Sequence, residues 1–529
     1  MASIVTLALL VLTTLGAVAS GTTVYVPDDY PTIQAAVNAA ASKDMIIIRD
    51  GTYAENVDVT KSLTIRSENG STLTIIKAKD PNDHVFFVTS DYVNISGLKV
   101  TGSISKNQKH SSGIYIGNGA GNCNISDIDA SNNDYGILLV NSNNNTLKNN
   151  LANSNTWDGI LLHSSGNNTL KNNIVSNNWR GIYLEYSPKN NLKNNTILKN
   201  HYNFGVWGGS WTLGLLDYTQ DIDTSNTVDK KPIYYWINTK NKEIPKDAGY
   251  VGIVNSSGIT VKNLSLKNNS HGVLFAYTSN SIIENVNASC NLFGIYLHAS
   301  NNNTVKENIA NSNFNYGILL GSSNNNTIVK NTANSNQNHA GIYLFSSDKN
   351  TLFRNTVKSN NIRGIYISGS DNTLTKNIAS KNSYGVYFSG SENNTFEKNT
   401  VNSNHLGICL YSSSKNKITC NKVSKNDKSG FFLFGGSTNN NISFNNIISN
   451  SEYNFYNRQS DDVDATENFW GGRRKSSIKL GVYDWDDDSS VGNVTFLPKL
   501  DNEALCAPFA ELESEKRFWW DAFSMGENG

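Results

Sequence analysis

Residues able to do chemistry crowd into one stretch of the chain. Trp157, Asp158, His163, Trp179, Arg180, Tyr183, Glu185, His201, Trp207 and Trp211 follow one another with few others of their kind between them. A carboxylate and an imidazole can move protons, and flat rings can stack on the C–H faces of sugars. An acid, a base and several rings on one strip are therefore what cleavage or epimerisation of a glycan would need. Asp158, His163, Arg180 and Glu185 are the catalytic candidates on this reading. The bland alternative is that Asp158 and Arg180 form a surface ion pair, which stabilises little. Metal chemistry is less well provided for. Asp484, Asp486 and Asp488 alternate as in a calcium loop, but Ser489 stands where glycine belongs and Thr495 where the closing glutamate belongs, so a solvated acidic turn is the stronger reading. The eight histidines are scattered, and after the leader only Met45 and Met525 remain, a poor supply of copper ligands. No cofactor is expected.

The elements that must position these residues come from a repeat. Thirteen glycines from Gly113 to Gly430, each followed by an aliphatic or aromatic residue, recur every 21 to 24 residues, with a single gap of 67 between Gly205 and Gly272. About 11 residues after each glycine comes an apolar position (Leu147, Leu170, Leu192, Leu352), and five residues later a small or β-branched one (Ala152, Val175, Ile197, Val357). Apolar spacing of two with Asn-rich interruptions favours three short strands per turn over helices. Two columns of asparagine, one through Asn150, Asn173, Asn195 and Asn377 and one through Asn155, Asn178, Asn200 and Asn382, mark corners where amides can bond the coil above and below. The fold class expected is all-β: a right-handed single-stranded parallel β-helix of about 16 coils of about 23 residues, with a short capping helix at its start. Triplets such as Asn144-Asn145-Thr146 arise from the corners and read as by-products of the ladder as readily as glycosylation sites.

Within each strand the first and third residues after the glycine should face in and the second out. The outward file reads Tyr115, Leu138, Leu161, Tyr183, Trp207, Leu274, Tyr296, Leu319, Tyr343, Tyr366, Tyr387, Cys409 and Phe432. Tyr183, Trp207, Tyr296, Tyr343, Tyr366 and Tyr387 from this file, with Trp157 and Trp179, which stack two residues before their glycines, are the glycan-binding candidates; rings that merely stabilise the sheet are the competing reading.

The rest of the chain divides around this rod. Ile4 to Leu15 and Ala17-Val18-Ala19 have the form of a signal peptide over residues 1–20. The β-helix is expected over 21–455, the helix near Ile33, Ala36 and Val37 covering its first coil. A β-rich excursion over about 213–257 would serve as a lid or an enlarged loop. A cap of hairpin or loop is expected over 456–500, and a mobile tail over 501–529. Of five cysteines none forms a C-x-x-C pair; Cys409 and Cys420 could meet across one coil, and most should be apolar fillers. With 44 basic and 44 acidic residues there is no net charge to recruit nucleic acid, and no later segment is apolar enough to span a membrane.

The opening Val24-Tyr25-Val26-Pro27-Asp28-Asp29-Tyr30-Pro31-Thr32-Ile33-Gln34, the motif Ile48-Arg49-Asp50-Gly51-Thr52-Tyr53, the NNT-rich coils, Lys231-Pro232-Ile233-Tyr234-Tyr235-Trp236 and Asn468-Phe469-Trp470-Gly471 together resemble the NosD-like β-helix family, common among archaeal surface and secreted proteins. The resemblance covers roughly 22–500. It implies repeats of the carbohydrate-binding and sugar-hydrolase type and a periplasmic copper-binding accessory role. Enzyme signatures of related folds are missing: the coils hold no Asp-Asp pair, and Tyr135-Gly136 runs into Ile137-Leu138-Leu139 where alginate epimerases continue to Asp-Pro-His. The expected function is an exported surface or secreted protein binding polysaccharide along the outward rings. A polysaccharide lyase, C5-epimerase or glycoside hydrolase is the second reading and a copper accessory protein the third.

Overall fold

The computed structural model describes residues 21–106, 111–209, 214–472 and 474–508. The leader, Trp211, Met525, Phe518-Trp519-Trp520 and the rest of 509–529 lie outside the described residues. The chain winds as a right-handed β-solenoid of about 20 turns. The count exceeds the expected 16 because coils outside the glycine column, around 231–257 and at the C-terminal end, also contribute strands.

Each turn lays one strand on each of three faces. On the glycine face, Tyr135–Val140, Asp158–His163 and Arg180–Glu185 pair in parallel with Ile137, Ile160 and Ile182 in register. The second face aligns Leu147, Leu170 and Leu192, and the third Ala152, Val175 and Ile197; all six are fully buried. The glycines permit the closest approach between turns. A Cβ on Gly136 or Gly294 would lie 2.4 Å from the carbonyl oxygen of Gly159 or Gly317 in the next coil.

Buried asparagine amides tie coil to coil at the corners. The Asn377 side-chain oxygen accepts from the backbone N–H and the Nδ2 of Asn355 (2.9 and 3.0 Å), and its Nδ2 donates to the Leu352 carbonyl (2.9 Å) and to Asn399 Oδ1 (3.0 Å). The left-handed angles fall not on these asparagines but on the residue before each, which is Asn149, Asn172, Lys376 or even Cys420. A third ladder, Asn145–Asn168–Asn190 and Asn303–Asn326–Asn350 onward, and a serine ladder, Ser142–Ser165–Ser187, work alongside the two visible in the repeat.

The rod is not continuous. Seven glycine-face strands end at Tyr202–Trp207, and a second set of twelve begins at Lys231–Ile237. The 213–257 stretch is thus no excursion from the rod. Asp221–Ile222 and Thr227–Val228 complete the first stack in parallel register, the chain then reverses so that Thr227 faces Pro232 antiparallel, and Lys231–Ile237 and Tyr250–Val254 open the second stack. The strand at 231–237 serves both stacks by simple alternation. Ile233 and Tyr235 join the first core, while Tyr234 and Trp236 pack on the second.

The ends are closed. Thr32 caps the helix Ile33–Ala39, accepting from the Ala35 N–H at 3.1 Å, and the Glu55 carboxylate takes the N–H groups of Ile33 and Gln34. At the other end Val463–Asp464 pairs in parallel with Val494–Thr495, a loop closure and not a hairpin. Cys420 is disulfide-bonded to Cys506, so it does not pair with Cys409, which is buried as a free thiol. The start of the tail is therefore docked, and the Ala504 N–H also donates to Asn446 Oδ1 at 2.7 Å.

Replacing a ladder amide should unsettle the stack more than a surface change does. Asn377→Ala is expected to destabilise by about 1–3 kcal/mol for each buried group it leaves unpaired, whereas exposed Lys148→Ala should stay within about 0.5 kcal/mol. Urea unfolding followed by circular dichroism reads both.

Candidate aromatic binding face

The first stack presents the expected acid and base residues, but not as one site. Asp158 and Arg180 face each other across adjacent strands, with Arg180 Nε and Nη2 each 2.7 Å from a carboxylate oxygen. Asp158 is fully buried, and the guanidinium lies 3.9 Å above the Tyr183 ring. This is a locked, desolvated pair and neither a solvated surface bridge nor a free acid. Tyr135, Leu138, Leu161 and Tyr183 pack beside it as a small apolar cluster on the outside of the sheet. His163 and Glu185 are different. His163 Nδ1 lies 3.0 Å from Glu185 Oε2, and both side chains remain partly open to solvent.

Trp207 does not continue the Tyr183 file. Tyr183 is in register with Gly205, and Trp207 with Glu185, so the glycine at 205 occupies the ring position and the indole shifts two places on. The shift carries the indole onto the second stack. It lies over Phe293 (5.2 Å, 16° between planes), Tyr296 (5.4 Å, 25°) and His271 (6.1 Å, 7°). Where the stacks meet, a cavity of about 190 Å³ opens, walled by Trp207, Phe293, Tyr296, Asn315, Tyr316, Leu319, Gly321, His339, Tyr343 and Phe345. Behind it His271 is wholly buried, and neither ring nitrogen has a hydrogen-bond partner among the described residues. Burial pushes its pKa down to about 3.

Beyond the cavity the outward rings form a continuous run. Tyr316 stacks on His339 (4.7 Å, 8°), Tyr343 on Tyr366 (4.2 Å, 7°) and Tyr366 on Tyr387 (5.7 Å, 16°). Burial holds the Tyr316 and Tyr387 hydroxyls up at about 12, so they stay protonated donors. The outward file is not uniformly open, however. Leu274, Tyr296 and Cys409 are fully buried, the first two as part of the first stack's core cluster. Trp157 stands 45% exposed on the first stack, and Trp179 packs against His201, Tyr202 and Phe314 away from the cavity wall. Phe293, Tyr316, His339 and Arg363 were missed in sequence. Phe293, Tyr316 and Arg363 share the position just before the glycine, and that file of bulky residues was the signal available.

Two family models match the chain. The model described as periplasmic copper-binding protein (NosD) matches residues 37–223 and 215–371, more than half of the chain, and the right-handed β-helix region model matches 334–469. The chain belongs to the NosD family. No curated protein sequence matches it. Among solved structures it resembles the A-module of the Azotobacter vinelandii mannuronan C-5 epimerase AlgE6 (15% identity, 77% of this chain and 92% of that one, TM-score 0.28). It also resembles the periplasmic alginate epimerase AlgG (12% identity, 86% and 85%, TM-score 0.28) and the Dettilon tailspike protein (13% identity, 79% and 68%, TM-score 0.24). At these scores the likeness is one of coil stacking.

The copper in the family's description does not fit these residues. Among the described residues no three His, Cys, Asp or Glu side chains converge to hold a metal. His201, His271 and His339 are engaged with aromatic rings, and Cys420 is spent in the disulfide. The acidic turn is no calcium loop either. Lys479 Nζ pairs with Asp484 and lies 3.0 Å from Asp486, and Asp488 accepts from Ser490, so a cation's place is filled by an ammonium group.

Removing one partner of a buried pair leaves the other charged and unpaired. Asp158→Asn is therefore expected to destabilise by about 3–5 kcal/mol, and Glu185→Gln by much less; chemical denaturation separates them. His271 adds a pH dependence. The unfolded chain takes up this proton below its ordinary value of 6.5 and the folded chain only near 3, so its contribution is complete above 6.5 and declines as pH falls toward 3. The expected slope is about 1.4 kcal/mol per pH unit, and His271→Phe should flatten it in denaturation midpoints measured across that window.

Proposed function

We propose that this protein is exported and binds polysaccharide along the outer glycine face, with the cavity between the stacks as its strongest subsite. The observation that carries this is the wall of that cavity, where Trp207, Phe293, Tyr316 and Tyr343 gather around about 190 Å³ with Asn315 and His339 among them. Flat rings offer stacking surfaces for sugar C–H groups, while the amide, the imidazole and the protonated phenols supply hydrogen bonds. The tyrosine run from Tyr343 to Tyr387 extends that surface coil by coil, which suits a polymer better than a small molecule. The Cys420–Cys506 disulfide favours an oxidising, extracytoplasmic compartment, and no helix among the described residues is long and apolar enough to cross a membrane.

A second reading, a polysaccharide lyase, epimerase or hydrolase, is favoured by one observation. The His163–Glu185 pair is open to solvent, and Glu185 is in register with Trp207 at the cavity's edge. Incubation with acidic and neutral polysaccharides, followed by chromatography of the products, distinguishes it: new reducing ends, unsaturated termini or changed sugar configuration that vanish in Glu185→Gln would establish catalysis. For binding, Trp207→Ala and Tyr343→Ala should each weaken retention on a responsive glycan by about three- to tenfold, and Trp157→Ala should do little. Equal binding by all three variants on a glycan array would remove the cavity from the reading.

A further inference from the structure

Two arginines hold the same place in the fold and meet different surroundings. Arg180 and Arg363 each stand immediately before the glycine of a glycine-face strand. In the coil before Arg180 the matching residue is Asp158, which takes the guanidinium in two hydrogen bonds. In the coil before Arg363 the matching residue is Ala340, and in the coil after it Tyr384. No carboxylate reaches Arg363 among the described residues, and its buried Nε has no hydrogen-bond partner. The guanidinium carbon instead lies 5.1 Å from the Tyr366 ring centre, 5.1 Å from Tyr387 and 5.9 Å from Tyr384. Its backbone N–H donates to the carbonyl of His339, a residue of the cavity wall.

We infer that the polysaccharide taken by this face is anionic, and that Arg363 receives its carboxylate or sulfate groups while the flanking tyrosines stack on the sugar rings. The inference rests on the reading of the aromatic face as a glycan surface and adds the charge of the ligand. A guanidinium is a planar fork of five donors suited to two-point recognition of a carboxylate or sulfate. Here the cation–π contacts hold the fork against the sheet without using its in-plane donors, and the acid that silences the equivalent Arg180 is replaced by a methyl group. The Tyr343–Tyr366–Tyr387 run places rings at successive coils on either side of the charge, so a polymer lying along the stack would bring an acidic residue to Arg363 and neighbouring sugars to the phenols. His339 adds no competing positive charge near neutral pH, because burial and the nearby Arg363 both lower its pKa.

The test is a calorimetric titration of the full chain with four probes: hexagalacturonate, its carboxyl-reduced form, a sulfated galactan hexamer and its desulfated form. The wild-type protein should bind at least one charged probe about tenfold more tightly than its neutral partner. That preference should fade with added salt, disappear in Arg363→Gln and persist in part in Arg363→Lys. Preference confined to one pair of probes identifies the anion as a uronate or as a sulfate ester. Equal affinity of the wild-type protein for charged and neutral members of both pairs overturns the inference and leaves glycan binding intact; so does an undiminished preference in Arg363→Gln. Failure of all four probes and of a wider glycan array removes the glycan surface itself and this inference with it. The wild-type comparison does not depend on any variant folding, and retained binding of a neutral probe by Arg363→Gln shows that the variant is folded.

Discussion

Everything in this molecule depends on one coil lying in register over the last. The register is enforced where water is excluded: a buried asparagine side chain at a corner can satisfy its own amide only by meeting the asparagine and the backbone of neighbouring coils. Asn355, Asn377 and Asn399 show the pattern, each oxygen taken by the coil before and each amide nitrogen shared between a carbonyl behind and an oxygen ahead. An unpaired amide in that position would cost about 1–3 kcal/mol, so a slipped coil is penalised at several corners at once. Apolar files such as Leu147, Leu170 and Leu192 drive the collapse, but burial has no direction; the amides supply the direction.

The same rule explains where regularity is given up. At Tyr202–Trp207 the strand keeps its register on its predecessor but carries its glycine two residues late, and the third-face strand after it reverses into Lys231–Ile237. Two stacks result, each with its own core, and the alternating sides of one strand feed both. An outer face that would otherwise be wet is thereby buried around Leu274 and Tyr296 and left open a few coils later around Tyr343 and Tyr366. The cavity lies at the boundary between those two conditions, where rings from both stacks meet but cannot fill the space between them. Charged residues follow the same logic. Arg180 is matched by an acid one coil away, and Arg363, in the equivalent place, is not.

Much of the fold was legible because a solenoid repeats its reasons. The glycine before each inward strand, the leucine and alanine files and the asparagine corners each recur in step, and each has one local cause. The signals that failed were those without repetition. Gly205 looked like one more member of the glycine column and is in register with Tyr183, which moved Trp207 out of the file assigned to it. The stretch 213–257 looked foreign because its coils lack the marker glycine and use Tyr250 and Tyr235 for their packing. Cys420 read as an apolar filler or a neighbour of Cys409, and nothing nearby in the chain points to a partner 86 residues on.

By itself the sequence determined the type of object: a right-handed parallel β-helix, its inward files, its corners and its capping helix, because each follows from contacts between residues at a constant separation. It also singled out Asp158, Arg180, His163 and Glu185 as neighbours, since one coil of separation is enough to predict adjacency. Only the tertiary structure decided which of them are locked and which are open, that the rod breaks in two, and that Trp207 meets Phe293 and Tyr296 across the break. Those outcomes hinge on one glycine displaced by two residues within its strand and on a reversal after another strand. Contacts made across such a break join residues at no fixed spacing, so no period in the chain encodes them.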